Sequence, residues 1–142
     1  MEEKNVWPEG IPQYTDQDLL SEEELFDMAM KVVLEQEVNA PGYELVAASY
    51  DPKSIPNIVF RKNGRLQMID VEAGIAPSVP ALDDQLYGIM LGQAKQFDAR
   101  AYFAAVSIGS KDHARFEKSL ALRGDDFYVR YEGLRKIIRV MM

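Results

Sequence analysis

The sequence predicts a single mixed α/β domain, built as a helix, a three-stranded antiparallel meander, a second helix and a buried strand, followed by an irregular C-terminal extension. Apolar residues with helical spacing begin after Ser21, and the spacing changes to that of strands from Tyr43 onward. Asn63-Gly64 between two apolar runs is the strongest short hairpin signal. Residues 101–108 are almost wholly apolar, which is typical of a strand buried on both faces. We expect residues 1–20 to form an N-terminal arm and residues 21–142 to form the domain.

Composition narrows the class of protein. A chain of 142 residues can bury a sizeable core in one domain. It contains no cysteine, which excludes disulfides and thiolate metal sites. The acidic opening lacks the apolar run of a secretory signal, and no stretch approaches 18 uninterrupted apolar residues. We therefore expect a cytoplasmic protein with no membrane span.

The net charge of −7 is unevenly distributed along the chain. Residues 1–38 carry eleven acids and two bases, whereas residues 100–142 carry nine bases and five acids. The acidic balance argues against nucleic-acid binding through overall charge, but the basic last third predicts a local patch for such a partner. The alternative is that these cations form solvated faces that pair with the acidic first helix. The cations considered for this patch are Arg115, Lys118, Arg123, Arg130, Arg135, Lys136 and Arg139.

The elements follow in order from local signals. In the arm, Trp7 and Tyr14 are candidate anchors. Ser21 with Glu24 three residues later forms a capping box, and the first helix should end near Val38. The remaining predicted strands cover residues 43–50, 57–61, 66–73, 101–108, which is the buried one, and 127–131. A helix is predicted over 81–97, with an apolar face of Leu82, Leu86, Ile89, Met90 and Phe97. Residues 110–122 are ambiguous and include a short helix around Phe116 and Leu120, and 134–140 is a helix or a strand.

The predicted hairpin brings three polar residues together. If Asn63-Gly64 is a two-residue turn, the numbers of opposed residues sum to 127, so Asn57 faces Asp70 and Glu72 is its diagonal neighbour. Asp70 and Glu72 also share a strand face, because side chains alternate along a strand. Two acids and an amide on a half-buried face cost desolvation and repulsion unless something compensates.

A hard divalent cation would compensate for that cost. Mg²⁺ or Mn²⁺ takes oxygen ligands, often from one or two carboxylates. We therefore predict Asp70 and Glu72 as metal ligands and catalytic residues, with the carbonyl oxygen of Asn57 as a third ligand. The alternative is that the three residues mark the solvated end of the strand and make ordinary hydrogen bonds.

The order of elements and the stretch Pro56-Asn57, twelve residues, Asp70-Val71-Glu72 together resemble the PD-(D/E)XK nuclease superfamily, which has the restriction-endonuclease-like fold. The resemblance covers about residues 21–108. The family motif is Pro-Asp at the start of the second strand, then an acid, any residue and Lys on the third. The resemblance implies a Mg²⁺- or Mn²⁺-dependent phosphodiesterase acting on DNA or RNA.

The sequence departs from that motif at two positions. Asn57 replaces the family's charged ligand, and Glu72 stands at its lysine, as in a minority of active members. Lys95 on the second helix is a candidate for a relocated lysine. The family often adds an acid from the first helix, for which Glu24, Glu35 and Glu37 are available.

Three hypotheses about function follow. The first is a nuclease-like fold that has lost its catalytic activity and binds a partner. That partner is nucleic acid bound at the basic last third, another protein, or a second copy of the chain. The second is an active metal-dependent nuclease, and the third is an unrelated α+β domain. His113 is the only histidine, so a zinc site is not expected.

Overall fold

The computed structural model describes residues 16–138, which form an α+β domain with one six-stranded sheet and three helices. The mixed α/β class is thereby confirmed. Residues 1–15, with Trp7 and Tyr14, lie outside the described residues. The helices are α1 (Glu22–Val33), α2 (Asp84–Phe97) and α3 (His113–Glu117). The strands are β1 (Tyr43–Ala48), β2 (Ile58–Lys62), β3 (Arg65–Ile75), β4 (Arg100–Ser110), β5 (Phe127–Tyr131) and β6 (Arg135–Ile137).

The first helix starts where the sequence predicts, and the helical stretch ends at the predicted Val38 only when the π-helical turn after α1 is included. The amide of Glu24 donates to Ser21 Oγ at 3.1 Å, and the amide of Ser21 donates to Glu24 Oε1 at 3.0 Å. This capping box satisfies two amides that have no partner within the helix. After α1 the chain makes a wider π-helical turn, Leu34–Val38, and leaves the helix at Asn39. The buried face of α1 packs on the sheet through Leu25, Phe26, Ala29, Met30 and Val33.

The sheet has the strand order β1-β2-β3-β4-β5. The first three strands form an antiparallel meander, and β4 runs parallel to β3 after the crossover through α2. Strands β5 and β6 both pair antiparallel with β4, one at each end of the strand, so they share its outer flank. The predicted buried parallel strand is confirmed as β4.

The hairpin between β2 and β3 has the predicted turn and register. Asn63 and Gly64 both have positive φ, 51° and 83°, as a two-residue hairpin turn requires. Lys62 pairs with Arg65, and the paired numbers sum to 127 as far as Ile58 and Ile69. The prediction that Asn57 continues this ladder opposite Asp70 was wrong, because regular pairing ends one pair earlier.

Both faces of the sheet are covered, as predicted. Helix α1 packs on one face and α2 on the other, so that residues Ile58, Ile69 and Val71 contact the first layer while Met68 and Phe103 contact the second. Helix α2 begins three residues later than predicted, with Asp83 as its N-cap. The prediction that Phe97 belongs to the buried apolar face of α2 was wrong, because its side chain is 55% exposed.

The C-terminal third settles two ambiguous segments. Helix α3 contains Phe116 and ends at Glu117, before Leu120. Residues 135–137 form a strand, and residues 139–142 lie outside the described part of the chain. Within residues 16–138, no helix has the length and apolar character needed to cross a membrane.

Candidate acidic site at the end of the hairpin

Asp70 lies in the middle of β3, on the face that α2 covers. Its side chain is fully buried, with 0% exposure. Neither carboxyl oxygen accepts a hydrogen bond from an N–H or O–H donor of the described residues. A buried carboxylate without donors loses its hydration and gains nothing in return, so it is stable only when protonated or next to a cation.

Glu72 is half-buried two residues further along β3. The carboxyl groups of Asp70 and Glu72 lie side by side, and they can hydrogen-bond to each other only if one of them carries a proton. Burial raises the pKa of Asp70 to about 8, and the neighbouring Glu72 and Asp83 add to the shift. Burial, Asp83 and Glu22 also raise the pKa of Glu72, although its hydrogen bond with Asp70 opposes them. Without a cation, Asp70 is therefore mainly a neutral acid at pH 7.

Asn57 is bound into the structure by all its polar atoms. Its Oδ1 accepts from the amide of Val71 at 2.7 Å, and its Nδ2 donates to the carbonyls of Asp51 and Ser54 at 3.2 and 3.0 Å. The carbonyls of Asp51 and Ser54 belong to the turn before β2, so the side chain of Asn57 connects that turn to β3. The predicted ligand oxygen of Asn57 is thus engaged with the backbone of β3.

Glu72, but not the buried Asp70, lines two hollows at the surface beside the N-termini of two helices. A hollow of about 300 Å³ is lined by Glu72, Asp83 and Lys53, among other residues. A smaller hollow of about 80 Å³ is lined by Glu72 and by Glu22 of α1. Asp83 also caps α2, because its Oδ1 accepts from the amide of Leu86 at 2.7 Å. Sequence reasoning missed Lys53, Asp83 and Glu22, since only the packing of two helix N-termini and of the turn before β2 around β3 brings them to the pair.

The candidate residues from the helices are placed elsewhere. Lys95 lines a different hollow, at the C-terminal half of α2. Glu24 caps α1 and pairs with Arg123 at 2.5 Å, and this pairing lowers the pKa of Glu24 to about 2. Glu37 accepts from the hydroxyl of Tyr131, and Glu35 is exposed. Of the acids in α1, Glu22 is the one that borders the pair.

The residues fit a divalent cation only in part. The two oxygens of Asp70 lack partners and are chemically suited to Mg²⁺ or Mn²⁺, with Glu72 as the second carboxylate. Among residues 16–138, however, no three acidic or histidine side chains converge on one point as a metal-binding group. Any cation here would depend on water or on a ligand's own oxygens to complete its coordination.

The basic last third is largely engaged in ion pairs. Arg115 pairs with Asp125, Arg123 with Glu24, and Arg130 with Glu132. The pairing of Arg123 with Glu24 is of the kind expected if basic faces pair with the acidic first helix. Lys118 also has an interaction partner. By contrast, Arg135 and Lys136 are exposed and form no ion pair within residues 16–138, and Arg139 lies outside them.

Comparison with known proteins places the chain in a family. Residues 23–137 match the family described as a domain of unknown function, DUF8840. The chain belongs to this family. The DUF8840 match includes the whole of the six-stranded sheet and most of the residues around both hollows beside Glu72. No curated protein and no solved structure matches the chain significantly.

Proposed function

We propose that this domain has a restriction-endonuclease-like core whose catalytic motif has diverged, and that it acts by binding a partner. Support comes from the order of elements: α1, an antiparallel meander, α2, and β4 parallel to β3. The stretch that resembles the nuclease motif occupies the start of β2 and the middle of β3, as it does in that superfamily.

The hydrogen bonds of Asn57 carry the proposal of lost catalysis. In the motif, the residue after Pro56 is an acid that holds the metal. Here it is an amide whose three hydrogen bonds connect the turn before β2 to β3. A side chain with this role supplies no charge to a cation and cannot turn toward one without breaking buried hydrogen bonds.

The charge around Asp70 supports the same conclusion. Where the motif has a lysine, the chain has Glu72, and Asp83 and Glu22 add further negative potential. Lys53 is the cation that lines the hollow beside Glu72, and it is exposed. Such a surface repels a phosphate backbone unless a metal ion is bound.

Binding of an anionic partner is proposed for the basic last third instead. Arg135 and Lys136 are the exposed cations of β6, and neither forms an ion pair within the described residues. Nucleic acid is one such partner, and an acidic protein is the alternative. Fluorescence anisotropy of labelled DNA and RNA strands, measured with the wild type and an Arg135→Glu, Lys136→Glu variant, distinguishes them. Binding that the variant abolishes supports nucleic acid, whereas no binding by the wild type favours the protein partner.

The test of lost catalysis is a cleavage assay. With Mg²⁺ or Mn²⁺ and single- or double-stranded DNA or RNA, we expect no more cleavage from the wild type than from an Asp70→Asn variant. Asn57→Asp should raise the affinity for Mn²⁺ in calorimetry, because it restores the missing charge. Cleavage by the wild type that Asp70→Asn abolishes contradicts the proposal.

A second candidate function is a Mg²⁺- or Mn²⁺-dependent phosphodiesterase, and the two unpartnered oxygens of Asp70 favour it. Asp70 and Glu72 would hold the metal, and Lys53 lies where a cation could orient a phosphate. A bound metal supplies Lewis acidity and lowers the pKa of a coordinated water. The chain's own residues would bind and position that metal.

Calorimetric titration of Mn²⁺ and Mg²⁺ into the wild type and an Asp70→Ala, Glu72→Ala variant tests this candidate. Specific binding that the variant loses establishes the metal site. If cleavage follows, Lys53→Met should reduce it, while the matched change Lys95→Met in the other hollow should not. No binding by the wild type, with or without a mononucleotide, removes this candidate.

A further inference from the structure

A row of hollows follows the outer flank of β4, away from the acidic pair. Three hollows, of about 560, 530 and 510 Å³, lie between β5 and β6 on one side and α2 and its preceding loop on the other. Arg130 lines the hollows of about 530 and 510 Å³. Arg135 also lines the hollow of about 530 Å³, and the next residue, Lys136, lines the hollow of about 560 Å³. We call this surface the flank groove.

The flank groove has an apolar floor that the described chain leaves uncovered. Near its C-terminal end along β4, Tyr128 is 56% exposed and meets the ring of Phe116 edge to face at 6.3 Å. At the other end, Leu91 and Ile137 form the floor, and Gly92 has open space where a side chain would stand. An uncovered apolar surface of this extent is typical of an interaction site.

The charge of the flank groove is opposite to that of the chain as a whole. Its lining has five cations and two anions, a net charge of +3 in a chain of net charge −7. The anions are already paired, Glu132 with Arg130 at 2.8 Å and Asp98 with Arg65 at 3.8 Å. The cations are Lys95, Arg100, Arg130, Arg135 and Lys136. An acidic segment with apolar side chains complements this surface.

We propose that the flank groove is the docking site of the first fifteen residues of the same chain. That segment, MEEKNVWPEGIPQYT, combines three glutamates and one lysine with Trp7, Ile11 and Tyr14. Its side chains carry a net charge of −2, and its aromatic residues match the apolar floor. The inference goes beyond the proposed function, because a docked segment would compete with the anionic partner for Arg135 and Lys136, and it holds whether or not Asp70 binds a cation.

The described chain begins close enough for this docking. The amide of Leu20 donates to the carbonyl of Ala121 at 2.9 Å, and the amide of Arg123 donates to the carbonyl of Asp18 at 2.8 Å. The strand-like contact thus places the start of the described chain beside residues 121–123, a few residues after Phe116 of the groove wall. Fifteen extended residues span about 50 Å, more than the length of about 35 Å of the eleven-residue β4. Trp7 is nine residues before Asp16, which is about 30 Å of extended chain, close to the length of β4.

Trp7 is the only tryptophan of the chain, so its fluorescence reports the docking directly in the full-length protein. We expect the wild type to show blue-shifted emission and weak quenching by acrylamide. An Arg130→Glu, Arg135→Glu variant should shift the emission to that of the unfolded chain. Arg61→Glu is the matched control, since Arg61 is an exposed strand arginine that also pairs with one glutamate, Glu44. It should leave the emission unchanged.

A charge exchange completes the test. Changing Glu2, Glu3 and Glu9 to Lys should shift the emission to the red, and combining these changes with the groove variant should restore the blue emission. Circular dichroism verifies that each variant is folded. Three results overturn the proposal: an exposed indole in the wild type, no response to the groove variant, or blue emission that appears only with doubling of the mass in light scattering.

Discussion

Asn57 and Asp70 are two fully buried polar residues at the same end of the hairpin, and they differ in how the structure satisfies them. Asn57 is 2% exposed and has partners for Oδ1 and for both hydrogens of Nδ2. Asp70 is 0% exposed, and neither of its oxygens accepts from a donor among residues 16–138, where its polar neighbour is the carboxyl of Glu72. The amide connects a turn to a strand, whereas the acid makes no comparable connection within that range.

This difference separates a structural polar residue from a candidate functional one. Buried polar groups in proteins are nearly always hydrogen-bonded, so each exception calls for an explanation. Perturbed carboxyl pKa values next to an open hollow are common at functional sites, although structural networks also produce them. Asp70 is therefore the residue on which experiments should concentrate.

Asp70→Asn should produce the largest effect, and the effect should depend on pH. The pKa of Asp70 is raised from 3.8 to about 8 by folding, so between these values the native state holds a proton that the unfolded state has lost. Wild-type stability should therefore fall as pH rises from 4 to 8, by a few kcal/mol and at most about 5. The variant, which cannot ionise, should lack this slope.

Urea denaturation at pH 5 and pH 8.5 in the presence of EDTA measures the difference. If the two proteins keep the same difference in stability at both pH values, the carboxyl of Asp70 is not held neutral by its surroundings. Mn²⁺ added at pH 8.5 then shows whether a cation relieves the penalty in the wild type alone.

Asn57→Ala should come next in size, with an effect independent of pH over the same range. It leaves the amide of Val71 and the carbonyls of Asp51 and Ser54 without their side-chain partner, which should cost about 2–4 kcal/mol. Asn57→Asp keeps the acceptor and loses both donors, so it should cost less than Asn57→Ala at pH 5. Thermal unfolding at fixed pH ranks the two variants by their loss of stability. If Asn57→Ala costs no more than a substitution at an exposed site, water replaces these hydrogen bonds.

Asp83 offers the smallest and most selective change. Asp83→Ser keeps an N-cap for α2 and removes the negative charge, whereas Asp83→Ala also removes the cap, at about 1 kcal/mol. We expect the serine variant to lower the pKa of Asp70 and to flatten the fall in stability with pH. Nuclear magnetic resonance titration of the Asp70 carboxyl provides the measurement, and an unchanged pKa would indicate that burial and Glu72 set it without Asp83.

Much of the fold follows from local sequence signals. The capping box at Ser21, the turn at Asn63-Gly64 and the apolar run of β4 each specify an element through nearby residues, so they could be predicted. The register of the hairpin followed from its turn, and with it the faces of β3. Side-chain alternation along β3 likewise predicts that Asp70 and Glu72 share one face.

Sequence patterns failed where a side chain takes over a role of the backbone. The ladder stops at Ile58 because Asn57 accepts from the amide of Val71 through its side-chain oxygen, which no pairing rule anticipates. Phe97, the last residue of α2, is exposed despite an apolar pattern that predicted its burial. Such outcomes depend on how two elements dock, and hydrophobic periodicity does not contain that information.

Local sequence was sufficient to specify most of the elements, the hairpin register and the pairing of two carboxyls on β3, because turn geometry and side-chain alternation are local properties. Tertiary packing, by contrast, buries Asp70 without partners among residues 16–138, brings Asp83 and Glu22 near enough to raise the pKa values of the pair, and places Lys95 elsewhere. Those properties depend on distances between helices and strands far apart in the chain. Desolvation and charge interactions are set by these distances, which no local pattern of residues encodes.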